Sequence, residues 1–310
     1  KAHLPYDFSE RALVIGGFQK LHSLLAKNEV PFGELRSRIV LVIVDEAHKV
    51  LAPTYKQVTK ALLGDSTRVI GLTATPGRSA IDAEENRALA EFFFSQIVSI
   101  ATPSHESVIS FLRRRGVLAE VEYEPLLTQL RYELTERELE HIEQFFDIPP
   151  GVLRKIGADD IRNVEILKRL QQECENERKI IFFACSIEHS KFICAMLVFL
   201  GFRAAHIDGS TPRTRRRVII DEFKKGQLQV ICNFGVLSTG FDAPKTDVVF
   251  ISRPTASIVL YSQMVGRGLR GPAIGGTETC KVVDVKDNIV GFSNEERVYE
   301  YFDEYFNRRG

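Results

Sequence analysis

Two adjacent carboxylates, Asp45 and Glu46, follow directly on the apolar run Val42-Ile-Val44, and His48 stands two residues further on. A strand ending this way presents both acids at its carboxyl edge, where open parallel sheets place their ligands. One carboxylate can hold Mg²⁺ through water while its neighbour polarises an attacking water, the chemistry of phosphoryl transfer. An Asp-Glu pair after a strand is also an ordinary way to start a turn. One strand later comes Gly71-Leu-Thr73-Ala-Thr75-Pro76. Its small hydroxyls can hydrogen-bond the acidic pair or His48, or simply cap a turn before Pro76. Far downstream, Tyr261-Ser-Gln263-Met-Val-Gly-Arg267-Gly-Leu-Arg270 sets two arginines three apart beside a helix end, so that they project to one side. The guanidinium fork suits phosphate and the charge that develops on it during transfer, whereas a basic surface turn is the plainer reading.

These groups need a frame, and the hydrophobic pattern supplies one. Short Val, Ile and Leu-rich runs alternate with helical stretches, which is the pattern of βαβ units in parallel sheets. In the first lobe, residues 11–15 read as a strand and 19–28 as a helix. Residues 39–44 read as a central strand covered on both faces. A helix over 54–63, a strand over 68–72 and helices over 83–94 and 105–115 complete that lobe. Residues 123–177 are charged, with a capping box at Thr135-Glu-Arg-Glu138 and a break at Pro149-Pro150, and read as a helical connector. The alternation then resumes to the end, closing on an expected helix over 294–309. The expected division is therefore 1–122, 123–177 and 178–310.

Taken together, the ordered segments resemble the superfamily 2 helicases of the DEAH type. Asp45-Glu-Ala-His48 matches motif II and Thr73-Ala-Thr75 motif III. Phe182-Phe-Ala-Cys-Ser186 matches motif IV, Ser238-Thr239-Gly240-Phe-Asp242 motif V, and Gln263 to Arg270 motif VI. The Gly16-Gly17 turn resembles motif Ib, and Gly266-Arg-Gly-Leu-Arg270 resembles the bacterial DNA-repair and restriction-type branch. The resemblance implies two RecA-like lobes, the first partial, which close on ATP and open after hydrolysis. It implies that Asp45 positions Mg²⁺, Glu46 is the general base, and Arg267 and Arg270 reach the γ-phosphate. Gly240 and Asp242 would lie at the nucleotide, and His48, Thr73, Thr75 and Gln263 would couple hydrolysis to the nucleic acid. Gly17, Ser186, Arg213 and Thr239 would meet the nucleic-acid backbone, positioning a strand without reading its sequence. ATP and Mg²⁺ are the implied cofactors, and DNA, with restriction or repair proteins, the implied partner.

One expected element is missing. No Gly-x-x-x-x-Gly-Lys-Ser/Thr occurs in the 310 residues, and only 44 residues precede Asp45. That loop supplies the backbone cradle and lysine for phosphates. The chain is therefore expected to begin just before motif Ib and to lack ATPase activity by itself. A non-catalytic module that docks nucleic acid or a partner is the alternative. Lys+Arg and Asp+Glu both number 41, which argues against binding nucleic acid by bulk charge but leaves room for a local basic groove. Arg113 to Arg115 and Arg213 to Arg217 are candidates for such a groove or for solvated helix faces. No apolar run approaches the roughly 18 residues of a membrane span. Five cysteines without a CxxC pair read as reduced core thiols of a cytoplasmic protein.

Overall fold

The computed structural model describes residues 12–27, 32–73, 83–98, 100–102, 106–145, 147–237 and 245–292. The chain divides into two compact units, Lys1–Ser99 and Ile100–Gly310. The expected terminal helix over 294–309 lies outside the described residues, as do Thr75, Thr239, Gly240 and Asp242.

The first unit contains α1 (Phe18–Ala26), α2 (Phe32–Arg38), β1 (Leu41–Asp45), α3 (Pro53–Leu62), β2 (Arg68–Leu72) and α4 (Ala83–Phe92). β1 and β2 run parallel, with Ile43 opposite Ile70 and Asp45 opposite Leu72. Val44 packs on one side with Ala47, Val50 and Leu89. The expectation that residues 39–44 are covered on both faces is not met. Leu41, Ile43, Ile70 and Leu72 all stand exposed on the other side. Side chains alternate across a strand, so one face of the pair is buried and the other is open. Residues 12–17, expected to begin with a strand, have no regular structure, and Leu13 and Ile15 are exposed. An extended segment without a partner strand has no ladder to hold it.

The second unit runs through α5 (Val108–Arg114), β3 (Glu120–Glu133), α6 (Glu136–Phe145), α7 (Pro150–Gly157), α8 (Asp160–Glu175), β4 (Ile180–Phe183) and α9 (Ile187–Phe199). It continues with β5 (Ala204–Ile207), α10 (Arg213–Lys224), β6 (Val230–Asn233), β7 (Val248–Ile251), α11 (Ile258–Val265) and β8 (Thr279–Val290). Its strands form one sheet in the order β3-β8-β7-β4-β6-β5, with every pairing parallel. β4, β6 and β7 are buried at every position. Alternate residues of these strands feed two cores. Ile181, Ile231 and Val249 pack with Ile219 and Phe223 of α10 and Met264 of α11. Ile180, Val230 and Phe250 pack with Ile166 and Leu170 of α8 and Ile193 of α9.

β3 corrects the reading of 123–177 as wholly helical. This charged stretch begins as an edge strand whose exposed glutamates alternate with half-buried Val121 and Tyr123. One face on the core and one in water is what an edge position tolerates. The connector is helical only from α6 onward, where Thr135 and Glu138 make the expected capping box. The Thr135 N–H donates to Glu138 Oε2 at 2.9 Å.

Deep in this unit Arg162 of α8 is wholly buried and forks onto Asp287 of β8, Nε to Oδ1 at 2.8 Å and Nη2 to Oδ2 at 2.9 Å. Thr128 of β3 donates to the same Oδ1 at 2.6 Å, and Arg162 also donates to the Ser252 carbonyl beyond β7. Arg162→Met leaves Asp287 buried without its cation and is expected to lower unfolding free energy by about 3–5 kcal/mol. Adding Asp287→Leu should recover most of that loss, and urea denaturation of both variants checks it.

Candidate functional site

The acidic site grows from the end of β1. Glu46 adopts a left-handed conformation, φ 52° and ψ 48°, a region that non-glycine residues enter at a cost of order 1 kcal/mol or more. Its N–H donates to Asp45 Oδ1 at 2.9 Å, which secures the turn. A short 3₁₀ helix, Ala47–Lys49, then carries His48 into the interior, where only 3% of it is exposed. There His48 Nδ1 lies 3.1 Å from Thr73 Oγ1 and 3.5 Å from Glu46 Oε2. The parallel register explains this meeting, because Asp45 is opposite Leu72 and the next residues on each strand leave the sheet together. Gly71 makes it possible. A Cβ there would come within 2.6 Å of the Phe93 ring and 2.8 Å of Ala47.

In the second unit, Gln263 lies on α11 and Arg267 just past its end, with Arg267 Nε donating to the Gln263 carbonyl at 3.3 Å. Arg270 forms an antiparallel bridge with Leu118. The backbone around the arginines is crowded. A Cβ on Gly268 would stand 2.1 Å from Cys280 Sγ, and one on Gly271 would stand 2.2 Å from the Gly116 carbonyl.

The candidate nucleic-acid residues are dispersed. Gly17 is exposed at the head of α1, where an added Cβ would touch nothing. Arg213 opens α10 on the surface, while Arg216 of the same run turns inward and donates to the Asp208 carbonyl at 3.0 Å. Ser186 is nearly buried and caps α9, its Oγ accepting from the His189 N–H at 3.0 Å. It lines a cavity of about 360 Å³ with Arg154, Asn163, His189 and Phe192. Burial, with the Arg162 charge nearby, pushes the His189 pKa down to about 3, so its ring is neutral and Nδ1 accepts from the Cys185 N–H.

Sequence reasoning passed over Asp284. This carboxylate is 2% exposed in β8 and accepts from Tyr261 at 2.7 Å and Tyr123 at 3.1 Å. A signal was present, since an acid set within Val282-Val-Asp-Val must find buried donors. All five cysteines are free thiols. Among the described residues there is no cluster of three or more metal-binding side chains, and no helix long and apolar enough to cross a membrane.

Parallel sheets flanked by helices, with carboxylates at a strand end in one unit and paired arginines after a helix in the other, define a RecA-like α/β protein. Comparison with known families makes this specific. Residues 162–271 match the helicase conserved C-terminal domain, and residues 5–78 match the type III restriction enzyme, res subunit. Together these matches support a superfamily 2 helicase of restriction or repair type. It is 28% identical over 253 residues to the Schizosaccharomyces pombe protein named "Putative mitochondrial ATP-dependent helicase irc3", covering 80% of this chain and 38% of that one. Its fold is similar to a fragment of a "putative HsdR subunit of a type I restriction enzyme" from Vibrio vulnificus. That likeness has a TM-score of 0.61 at 18% identity, over 91% of this chain and 49% of the other. The fold is also similar to a leucine-to-valine variant of Saccharomyces cerevisiae Dbp5 bound to RNA and ADP BeF3, with a TM-score of 0.54 at 15% identity over 99% of this chain and 67% of that one. The chain spans less than half the length of three curated relatives that it matches.

Because Ser186 caps a helix, Ser186→Ala is expected to cost about 1 kcal/mol of stability even without nucleic acid. Thermal or urea unfolding of the free protein measures that share and separates it from any loss of binding.

Proposed function

We propose that the chain is part of an ATP-dependent DNA helicase or translocase. The observation that carries this reading is the joined set Asp45, Glu46, His48 and Thr73 at the end of a parallel strand. Glu46 is the group that polarises the attacking water, and His48 links its carboxylate to Thr73. The exposed Asp45 carboxylate is a hard oxygen donor and fits Mg²⁺, which takes one or two protein carboxylates and keeps its waters. When bound, the ion supplies charge neutralisation on the phosphates. Arg267 and Arg270 neutralise charge developing on the transferred phosphoryl group, and Gln263, Thr73 and Thr75 relay the nucleotide state. Gly240 and Asp242 are assigned to the nucleotide, and Gly17, Ser186, Thr239 and Arg213 to the DNA backbone. The match to a restriction-enzyme subunit family over residues 5–78 supports service as the motor of a restriction or repair complex.

Glu46→Gln in the full-length protein should lower DNA-stimulated ATP turnover by about 10²–10⁴-fold, the usual worth of a general base. Binding of a fluorescent ATP analogue should persist. Turnover at the unsubstituted rate would remove Glu46 from the base role.

A further inference from the structure

The arginine segment is held from a place that the helicase motifs do not include. Residues 117–119, just ahead of β3, bind its backbone directly. The Ala119 N–H donates to the Leu269 carbonyl at 2.9 Å, and the Gly271 N–H to the Val117 carbonyl at 2.9 Å. These bonds grip Arg270 from both sides. A few residues on, Tyr123 of β3 donates to Asp284 Oδ2, the oxygen that also accepts from Tyr261. Tyr261 is on α11, two residues before Gln263, and is 2% exposed. One carboxylate oxygen thus ties β3, β8 and the helix that leads into Arg267.

The surroundings of Asp284 make this tie dependent on its charge. Ile251 of β7 and Pro125 of β3 stand opposite it in the sheet and offer no polar group. Burial pushes its pKa up to about 6, opposed by Lys286 and the two phenol bonds and reinforced by Asp287. As a carboxylate it accepts both phenol protons in charge-assisted bonds, which are the stronger kind. Once protonated it offers the phenols a neutral acceptor in place of a charged one, and both bonds weaken.

We propose that Tyr123, Asp284 and Tyr261 form a positioning bridge that fixes α11 and, through it, the placement of Gln263, Arg267 and Arg270 for nucleotide hydrolysis. The three are positioning residues that act through the arginine segment. This inference rests on the motor reading above for its consequence, though the bridge can be tested without it.

The tests use the full-length protein with Tyr261→Phe, Tyr123→Phe and Asp284→Asn, which keep the ring or the side-chain shape while altering the bonds. Hydrogen exchange across residues 258–271 should quicken in each variant relative to β4 and β7, whose exchange stays as it was. In turnover assays with saturating DNA, Tyr261→Phe should lower kcat by about ten- to a hundred-fold, the scale of a small misplacement of catalytic groups. The KM for ATP should change little.

The pH dependence gives a readout that a merely structural role would not move. The folded-state pKa of Asp284 lies above its unfolded value. Its stabilising contribution is therefore present at low pH and lost as pH rises through about 6. Turnover should run the other way, falling as pH drops through that same window, and Asp284→Asn should sit on the low plateau at every pH. Unchanged exchange in all three variants overturns the bridge. So does quickened exchange with undiminished kcat in a protein whose Glu46→Gln variant is dead. If the unsubstituted protein and Glu46→Gln are equally inert, the motor reading has failed, and the exchange result alone decides the bridge.

Discussion

The ion pair between Arg162 and Asp287 ties α8 to β8, to the end of β7 and to β3. A guanidinium with no exposed surface needs a counter-charge and several acceptors, because an unpaired buried ion costs far more than the pair gains. The fork onto Asp287 and the Ser252 carbonyl supply these, and the Thr128 hydroxyl donates to the Asp287 carboxylate in turn. In doing so they fix α8 against β8, the end of β7 and the edge strand β3. The sheet alone would pair its strands but would not determine where α8 stands along them. Asp284 is three residues from Asp287 on the same strand, so the pair also sets the base from which the arginine helix is held.

The first unit depends on geometry of a smaller scale. Its acids are useful only because Glu46 accepts a left-handed backbone and Gly71 has no side chain. The first turns the chain sharply at the strand end, and the second lets Ala47 and Phe93 close over β2. The result is a histidine inside the fold, within reach of a glutamate and of a threonine from the neighbouring strand. Strain at such a point persists when its surroundings over-determine it, as the Asp45 bond and the 3₁₀ turn do here.

Much of this was legible in the sequence, for reasons that can be stated. Val248 to Ile251 and Ile180 to Phe183 are uninterrupted apolar runs, and runs of that kind are central strands of parallel sheets. The Thr135 to Glu138 cap was legible because both partners lie within one helical turn. The meeting of His48 with Thr73 followed from two successive strands that end at the same edge. β3 was missed because an edge strand keeps its charges on the wet side, and a charged stretch next to helices reads as helix. The open face of β1 and β2 was missed because apolar residues signal burial without showing what covers them. The Asp284 bridge joins residues 161 and 23 positions apart, and no local period reports such a meeting.

The glycines around the arginines carry a consequence for how damage to this segment would show itself in a cell. Gly268 and Gly271 have backbone or sulfur atoms where any side chain would begin. A methyl group at either position must force the chain apart, so the harm falls on folding, and the altered protein is cleared or aggregates. Under the proposed function, truncating Arg267 or Arg270 forces no backbone apart and leaves folded molecules that do not turn over ATP. Neighbouring positions in one short segment would therefore yield two kinds of defective allele. The first kind is recessive through scarcity. The second, where the protein works inside an assembly, is dominant through occupancy.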